Sequence, residues 1–142
     1  MNGMQIRPFD VGDREAVVAL WKQCNLVVPW NNPYKDIERK LKVDPDLFLV
    51  GEDSGSVVAT VMAGYEGHRG WINYLAVSPG HQAKGYGRAL IERVELLLRQ
   101  KGCPKINLQV RKTNGEIIAF YEAMGYKRDK SITLGKRLER DD

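Results

Sequence analysis

From Asp10 onward, apolar residues recur at Ala16, Val17, Leu20, Trp21 and Cys24, a three-and-four spacing that puts them on one face of a helix. Asp10 is a fitting N-cap for that helix, and "MQIRPF" (4–9) before it alternates as a first strand does. The next stretch, "NLVVPWNNPYKD" (25–36), is rich in Pro and Asn and reads largely as loop. A short second helix follows in "YKDIERKLKV" (34–43). Asp44-Pro45 stops it, because the residue before a proline is pushed out of the helical region.

The period then changes. "DLFLVGED" (46–53) and "SVVATVMAGYE" (56–66) are β-rich runs separated by Ser54-Gly55, a hairpin signal. "GHRG" (67–70) makes another turn before the fourth strand, "WINYLAVS" (71–78). A third helix has Ala89, Leu90, Val94, Leu97 and Leu98 on one side and ends at Gly102, with Pro104 just beyond. "KINLQV" (105–110) is a fifth strand. "NGEIIAFYEAMGY" (114–126) is a fourth helix carrying Ile117, Ile118, Phe120, Tyr121 and Met124, closed by Gly125. "SITLGKRL" (131–138) supplies a last strand or two. The order β-α-α-β-β-β-α-β-α-β predicts one α/β (α+β) domain over 1–142, with a single mixed, mostly antiparallel sheet and helices on both faces.

Composition narrows this picture without redirecting it. A chain of 142 residues, 43% hydrophobic and 28% charged, suits one soluble domain with a proper core. No apolar run approaches the roughly 20 residues of a membrane helix. "MNGMQIRPFD" lacks the apolar centre of a secretory signal, so the expectation is a cytoplasmic protein without membrane contact. The net charge of +4 and pI near 9.1 favour an anionic ligand. The basic residues are interspersed with acids, so no stripe suited to nucleic acid forms. Cys24 and Cys103 lie far apart without Cys-x-x-Cys spacing, and the chain has two histidines. These counts argue for reduced thiols and no metal site.

Chemistry concentrates in "LAVSPGHQAKGYGRALIERV" (75–94), where a strand passes through a glycine-punctuated basic loop into the third helix. The first amides of a helix have no partner within it, and the helix dipole adds partial positive charge, so the junction suits an anion such as phosphate. Gly85 and Gly87 let a ligand approach the backbone, and Lys84 and Arg88 add charge. The P-loop string Gly-x-x-x-x-Gly-Lys-Ser/Thr is absent. A dinucleotide fingerprint needs a third glycine where this chain has Leu90.

"QAKGYG" (82–87) resembles the Gln/Arg-x-x-Gly-x-Gly/Ala signature of the GNAT-superfamily N-acetyltransferases, placed as there between a "LAV"-type fourth strand and the third helix. "NGEIIAFYEAMGY" is similar to that family's second signature, and the resemblance extends over about residues 4–138. "PWNNPYKDIERK" and "GYEGHRGW" resemble the small stand-alone bacterial members of the YpeA type. The resemblance implies acetyl-CoA as acetyl donor and an amine-bearing small molecule or protein as acceptor. The pyrophosphate would lie on the amides of Gln82, Ala83, Lys84, Gly85, Tyr86, Gly87 and Arg88. The pantetheine arm would pair with Leu75, Ala76 and Val77 like an added strand, and Asn114 would stand near the cofactor besides capping its helix. The family often has Arg and Gly where this chain has Gln82 and Ala83, and Ala83 is awkward if that position needs a positive φ.

Acetyl transfer to an amine expels a thiolate, which needs a proton; Tyr121 matches the tyrosine that supplies it, since a phenol of pKa about 10 stays protonated at neutral pH. The amine must also lose a proton, being neutral in only about one molecule in 2,500 at pH 7. The family often has a Glu on the fourth strand for this, where Asn73 and Tyr74 stand here. Glu66, His68 or a chain of waters takes its place. Substrate choice falls to Trp30, Asn31, Asn32 and Asp36 in the irregular region. A non-enzymatic acyl-CoA-binding module on the same fold is the alternative, and monomer and homodimer both remain open.

Overall fold

The computed structural model describes residues 3–142. Its regular elements are β1 (Gln5–Pro8), α1 (Arg14–Gln23), α2 (Pro33–Lys40), β2 (Phe48–Asp53), β3 (Ser56–Tyr65), β4 (Gly70–Val77), α3 (Tyr86–Gln100), β5 (Ile106–Leu108) and α4 (Gly115–Ala123). They form one sheet in the order β1-β2-β3-β4-β5. The first four strands are antiparallel neighbours, and β5 runs parallel to β4. A parallel pair needs a long crossover, and α3 supplies it. Ser54 and Gly55 turn the β2–β3 hairpin with φ of 54° and 83°, the double positive φ that matches the strand twist in a two-residue loop.

Each face of the sheet carries a core. On one, Val17, Val18, Leu20 and Trp21 of α1 and Ile37 of α2 pack against Phe48, Val50 and Met62. The buried face of α1 therefore includes Val18, whereas Ala16 is exposed. On the other face, Leu90, Ile91, Val94 and Leu98 of α3 and Tyr121 of α4 pack against Leu49, Val61 and Ile72. Burying each such aliphatic side chain contributes about 1.5–3 kcal/mol, so α3 is held firmly along its length.

Two irregularities in the sheet position everything that follows. The β3–β4 register passes from Thr60↔Ala76 to Met62↔Asn73, so two residues of β4, Tyr74 and Leu75, face Val61 alone in a bulge. Tyr74 takes φ 52° there, an uncommon conformation for an aromatic residue. The β4–β5 ladder ends at Ile72↔Leu108, so β4 from Asn73 to Val77 has no β5 partner.

The last strand expected over 131–138 does not form. Ile132, Leu134 and Leu138 are 83%, 87% and 91% exposed. β5 is three residues long and offers little edge to pair with. The far end of the segment is tied elsewhere, with Arg137 donating to Asn31 Oδ1 and Asp141 accepting from the Asn32 amide. The other predicted elements all form, with shifted ends.

Candidate active site

β4 leads through a single 3-10 turn (Pro79–His81) into the loop before α3. Gly85 caps that helix with φ 82°, and Ala83 adopts φ 64°, so the strain expected of alanine there is present. Among the described residues, the amides of residues 83–88 meet no acceptor. A Cβ at Gly85 would touch nothing within 4 Å, and one at Gly87 would meet Phe120 at an ordinary 3.4 Å. The chain's own packing therefore does not demand glycine at 87, and at 85 only the positive φ does. What both glycines also provide is open access to the amides.

Side chains brace this loop from below. Gln82 Nε2 donates to Val77 O at 3.1 Å, fastening the loop to the end of β4. Tyr86 Oη donates to Asp53 Oδ2 at 2.6 Å, fastening it to the β2–β3 hairpin. That bond pushes the tyrosine's pKa up and holds the Asp53 carboxyl below its usual range. Lys84 is exposed, and Arg88 shares its charge with Glu92 at 3.3 Å. Leu75, Ala76 and Val77 lie on the half of β4 that has no β5 partner, directly before the loop.

The bulge is built on a buried hydroxyl. Thr60 Oγ1 donates to the Tyr74 carbonyl at 2.9 Å and accepts from Trp21 Nε1 at 2.9 Å. The Trp21 and Tyr74 rings stack with centroids 3.8 Å apart. This aims the Tyr74 hydroxyl at the start of α2, where it donates to Asp36 Oδ2 in the first turn at 2.6 Å and accepts from Asn31 Nδ2 in the loop before it at 3.0 Å. Burial, then the Asp36 carboxylate, push the Tyr74 pKa well above that of an ordinary phenol. Asp36, Tyr74, Met62, Asn73 and Lys40 line an open groove of about 600 Å³ on this face.

The predicted residues divide accordingly. Asn31 and Asp36 reach the bulge. Asn32 is spent as the N-cap of α2, accepting from Tyr34 and Lys35 amides, and Trp30 stands 62% exposed. Asn114 caps α4, accepting from the Ile117 amide at 3.3 Å. Tyr121 is buried, its ring edge-on to Phe120 and Tyr126, and its hydroxyl bonds to no described residue. Burial raises its pKa strongly.

Glu66 and His68 are not brought to the site. They lie in the turn before Gly70, roughly 16 Å along the strand from Leu75 at about 3.3 Å per residue. The Glu66 carboxylate is spent there on the amides of His68 and Arg69, which hold its pKa below the usual range. Sequence reasoning passed over Tyr74 as a site residue, because nothing in "WINYLAVS" marks where a strand will bulge. It also passed over Lys40 and Asp141. Among the described residues no group of acids, histidines and cysteines is arranged to hold a metal, and no helix is long and apolar enough to cross a membrane.

The family model described as "Acetyltransferase (GNAT) family" matches residues 14–126. An acetyltransferase of Pectobacterium atrosepticum is 52% identical over 138 residues, covering 97% of this chain and 98% of its own length. An acetyltransferase of Yersinia enterocolitica is 50% identical over 135 residues, covering 95% and 96%. Among solved structures, AAC(6')-Iy in complex with the bisubstrate analogue CoA-S-monomethyl-acetylneamine superposes with a TM-score of 0.78 at 20% identity, over 94% of this chain and 98% of that one. The ribosomal-protein-S18-alanine N-acetyltransferase from Escherichia coli gives 0.76 at 22% identity, over 89% and 79%. With a family match over most of its length and relatives this similar across nearly all of it, the chain belongs to the acetyltransferase (GNAT) family.

Proposed function

We propose that the chain, as one domain over 1–142, is an N-acetyltransferase that uses acetyl-CoA to acetylate a primary amine of a small molecule or protein. The observation that carries this reading is a loop of unpaired amides directly after the half of β4 that β5 leaves uncovered. The two features fit the two ends of one ligand. Amides 83–88, with Gln82, Lys84 and Arg88, suit a pyrophosphate; the edge of β4 at Leu75, Ala76 and Val77, left uncovered by β5, is open to the amide-bearing arm. When bound, acetyl-CoA supplies an acetyl group already activated as a thioester.

The chain's own groups then handle protons. Tyr121 Oη keeps its proton at neutral pH, since burial raises its pKa, and no described residue takes that bond. It is the donor for a leaving group. In place of Glu66 and His68, the pair at the bulge gives the amine's proton a route. Tyr74 Oη accepts that proton as its own passes to Asp36 Oδ2, 2.6 Å away.

Thiol release from acetyl-CoA across a panel of amines tests the reading. The wild type should turn over at least one amine. Tyr121→Phe should bind acetyl-CoA equally well and turn over about 10²–10⁴-fold more slowly, the range for general acid–base catalysis. Binding without thiol release for any amine would leave the non-enzymatic acyl-CoA-binding module instead. Equal turnover by Tyr121→Phe would remove that residue from the chemistry.

A further inference from the structure

The groove beside the bulge contains charges that are satisfied and one that is not. Asp36 accepts from Tyr74 and Asn31 and pairs with Arg39 at 3.2 Å. Arg39 in turn pairs with Asp141 at 2.7 Å and Glu139 at 3.1 Å. Lys40, the last residue of α2, is half-buried over β3, and its Nζ donates to the Ala63 carbonyl. Among the described residues no carboxylate lies within 4.0 Å of it to make an ion pair. The acids of the following segment are engaged elsewhere: Asp44 accepts from the Tyr65 amide at 3.4 Å, and Asp46 pairs with Lys101 at 3.1 Å.

An ammonium has three donors, so this one retains two after the bond to Ala63. Removing a cation from water without a directly bonded counter-ion is costly, and burial pushes the Lys40 pKa down although the charges of Asp44 and Asp46 act in the opposite sense. An anion delivered into the groove offsets that cost. Asp36 and Lys40 are four residues apart on α2, one turn on the same helix face, with Cβ atoms about 6 Å apart. The Tyr74–Asp36 pair and the unpaired ammonium therefore lie within the span of one small ligand, and the groove volume of about 600 Å³ falls in the range of small-molecule pockets.

We infer that the acceptor is a small amine that also bears a carboxylate, and that Lys40 seats this carboxylate while the amine faces Tyr74 and the bulge. The inference rests on the transferase reading, because it takes the groove as the acceptor's side of the site. A lysine that merely covered the end of the sheet would contribute to stability but would not discriminate between ligands.

The test uses matched pairs, each an amino acid and its primary amide, across several chain lengths, with thiol release from acetyl-CoA as the signal. For each pair the ratio of kcat/KM, acid over amide, is compared between wild type, Lys40→Met and Lys40→Arg. Taking the ratio against the variant cancels differences in amine basicity. For at least one pair the ratio should fall about tenfold or more in Lys40→Met, the size of a charge-assisted hydrogen bond. Lys40→Arg should keep most of the ratio, and acetyl-CoA affinity should stay the same in all three proteins. Turnover of amines with a ratio that Lys40→Met leaves unchanged overturns the inference and leaves the transferase reading standing. Turnover confined to amines without a carboxylate does the same. Acetyl-CoA binding with no thiol release from any amine removes the transferase reading and this inference with it.

Discussion

Thr60 has no exposed surface, yet its hydroxyl is both donor and acceptor, bridging the Trp21 indole and the Tyr74 carbonyl. Valine has the same shape without the hydroxyl. Thr60→Val would leave a buried N–H and a part-buried C=O without this partner, the first costing about 1–3 kcal/mol and the second about 1 kcal/mol. Urea unfolding should therefore show the variant less stable by about 2–4 kcal/mol. A change below about 0.5 kcal/mol, the range of neutral surface substitutions, would mean that the bulge does not depend on this bridge. None of this was legible from the letters. "SVVATVMAGYE" reads as a uniform β-rich run, and the threonine in it is an ordinary strand residue until its partners, 39 and 14 positions away, come into contact.

Among the elements, the C-terminal segment departs furthest from its sequence pattern. Its alternating Ile132 and Leu134 look like strand, but a strand needs an edge, and three residues of β5 provide little. The pattern within a segment does not report the length of its neighbour. Instead Asp141, its side chain fully covered, accepts from the Asn32 amide at 2.9 Å and pairs with Arg39. It thereby fastens the segment to the stretch that carries Asn31 and Asp36. Arg39, then the Asn32 amide, lower the Asp141 pKa from 3.8 to about 2. A carboxyl depressed on folding stabilises the docked state above its unfolded value, and that contribution is lost as pH falls through the folded value. The amide resonance of Asn32, followed by NMR against pH, should move with a midpoint near 2. A midpoint near 3.8, the ordinary aspartate value, would contradict the contact.

At the scale of the whole molecule, the reading from pattern alone held for the mixed sheet, the order of elements from β1 to α4 and the placement of helices on both faces. These follow from periodicity and turn chemistry, which are local. The glycine-bearing loop was equally legible, because a strand-to-helix junction announces itself in sequence. The groove beside the bulge was legible only in part. Asn31 and Asp36 stood out as polar residues in an irregular stretch, whereas Tyr74, Lys40 and the bulge that joins them to the loop depend on tertiary register. The sheet's role is to bring these two halves together, with unpaired amides at the end of β4 and a polar groove beside its middle.

Calorimetric titration with acetyl-CoA tests that arrangement most directly, using the wild type and Gly85→Glu. A Cβ at 85 would meet nothing within 4 Å, so the variant should fold, at a backbone strain of about 1–2 kcal/mol for a positive φ; circular dichroism checks this. Saturable binding by the wild type, weakened about tenfold or more in the variant by a carboxylate set against the pyrophosphate, is the result expected. No saturation at millimolar acetyl-CoA, or equal affinity in the two folded proteins, would contradict the claim that this loop holds the acetyl donor.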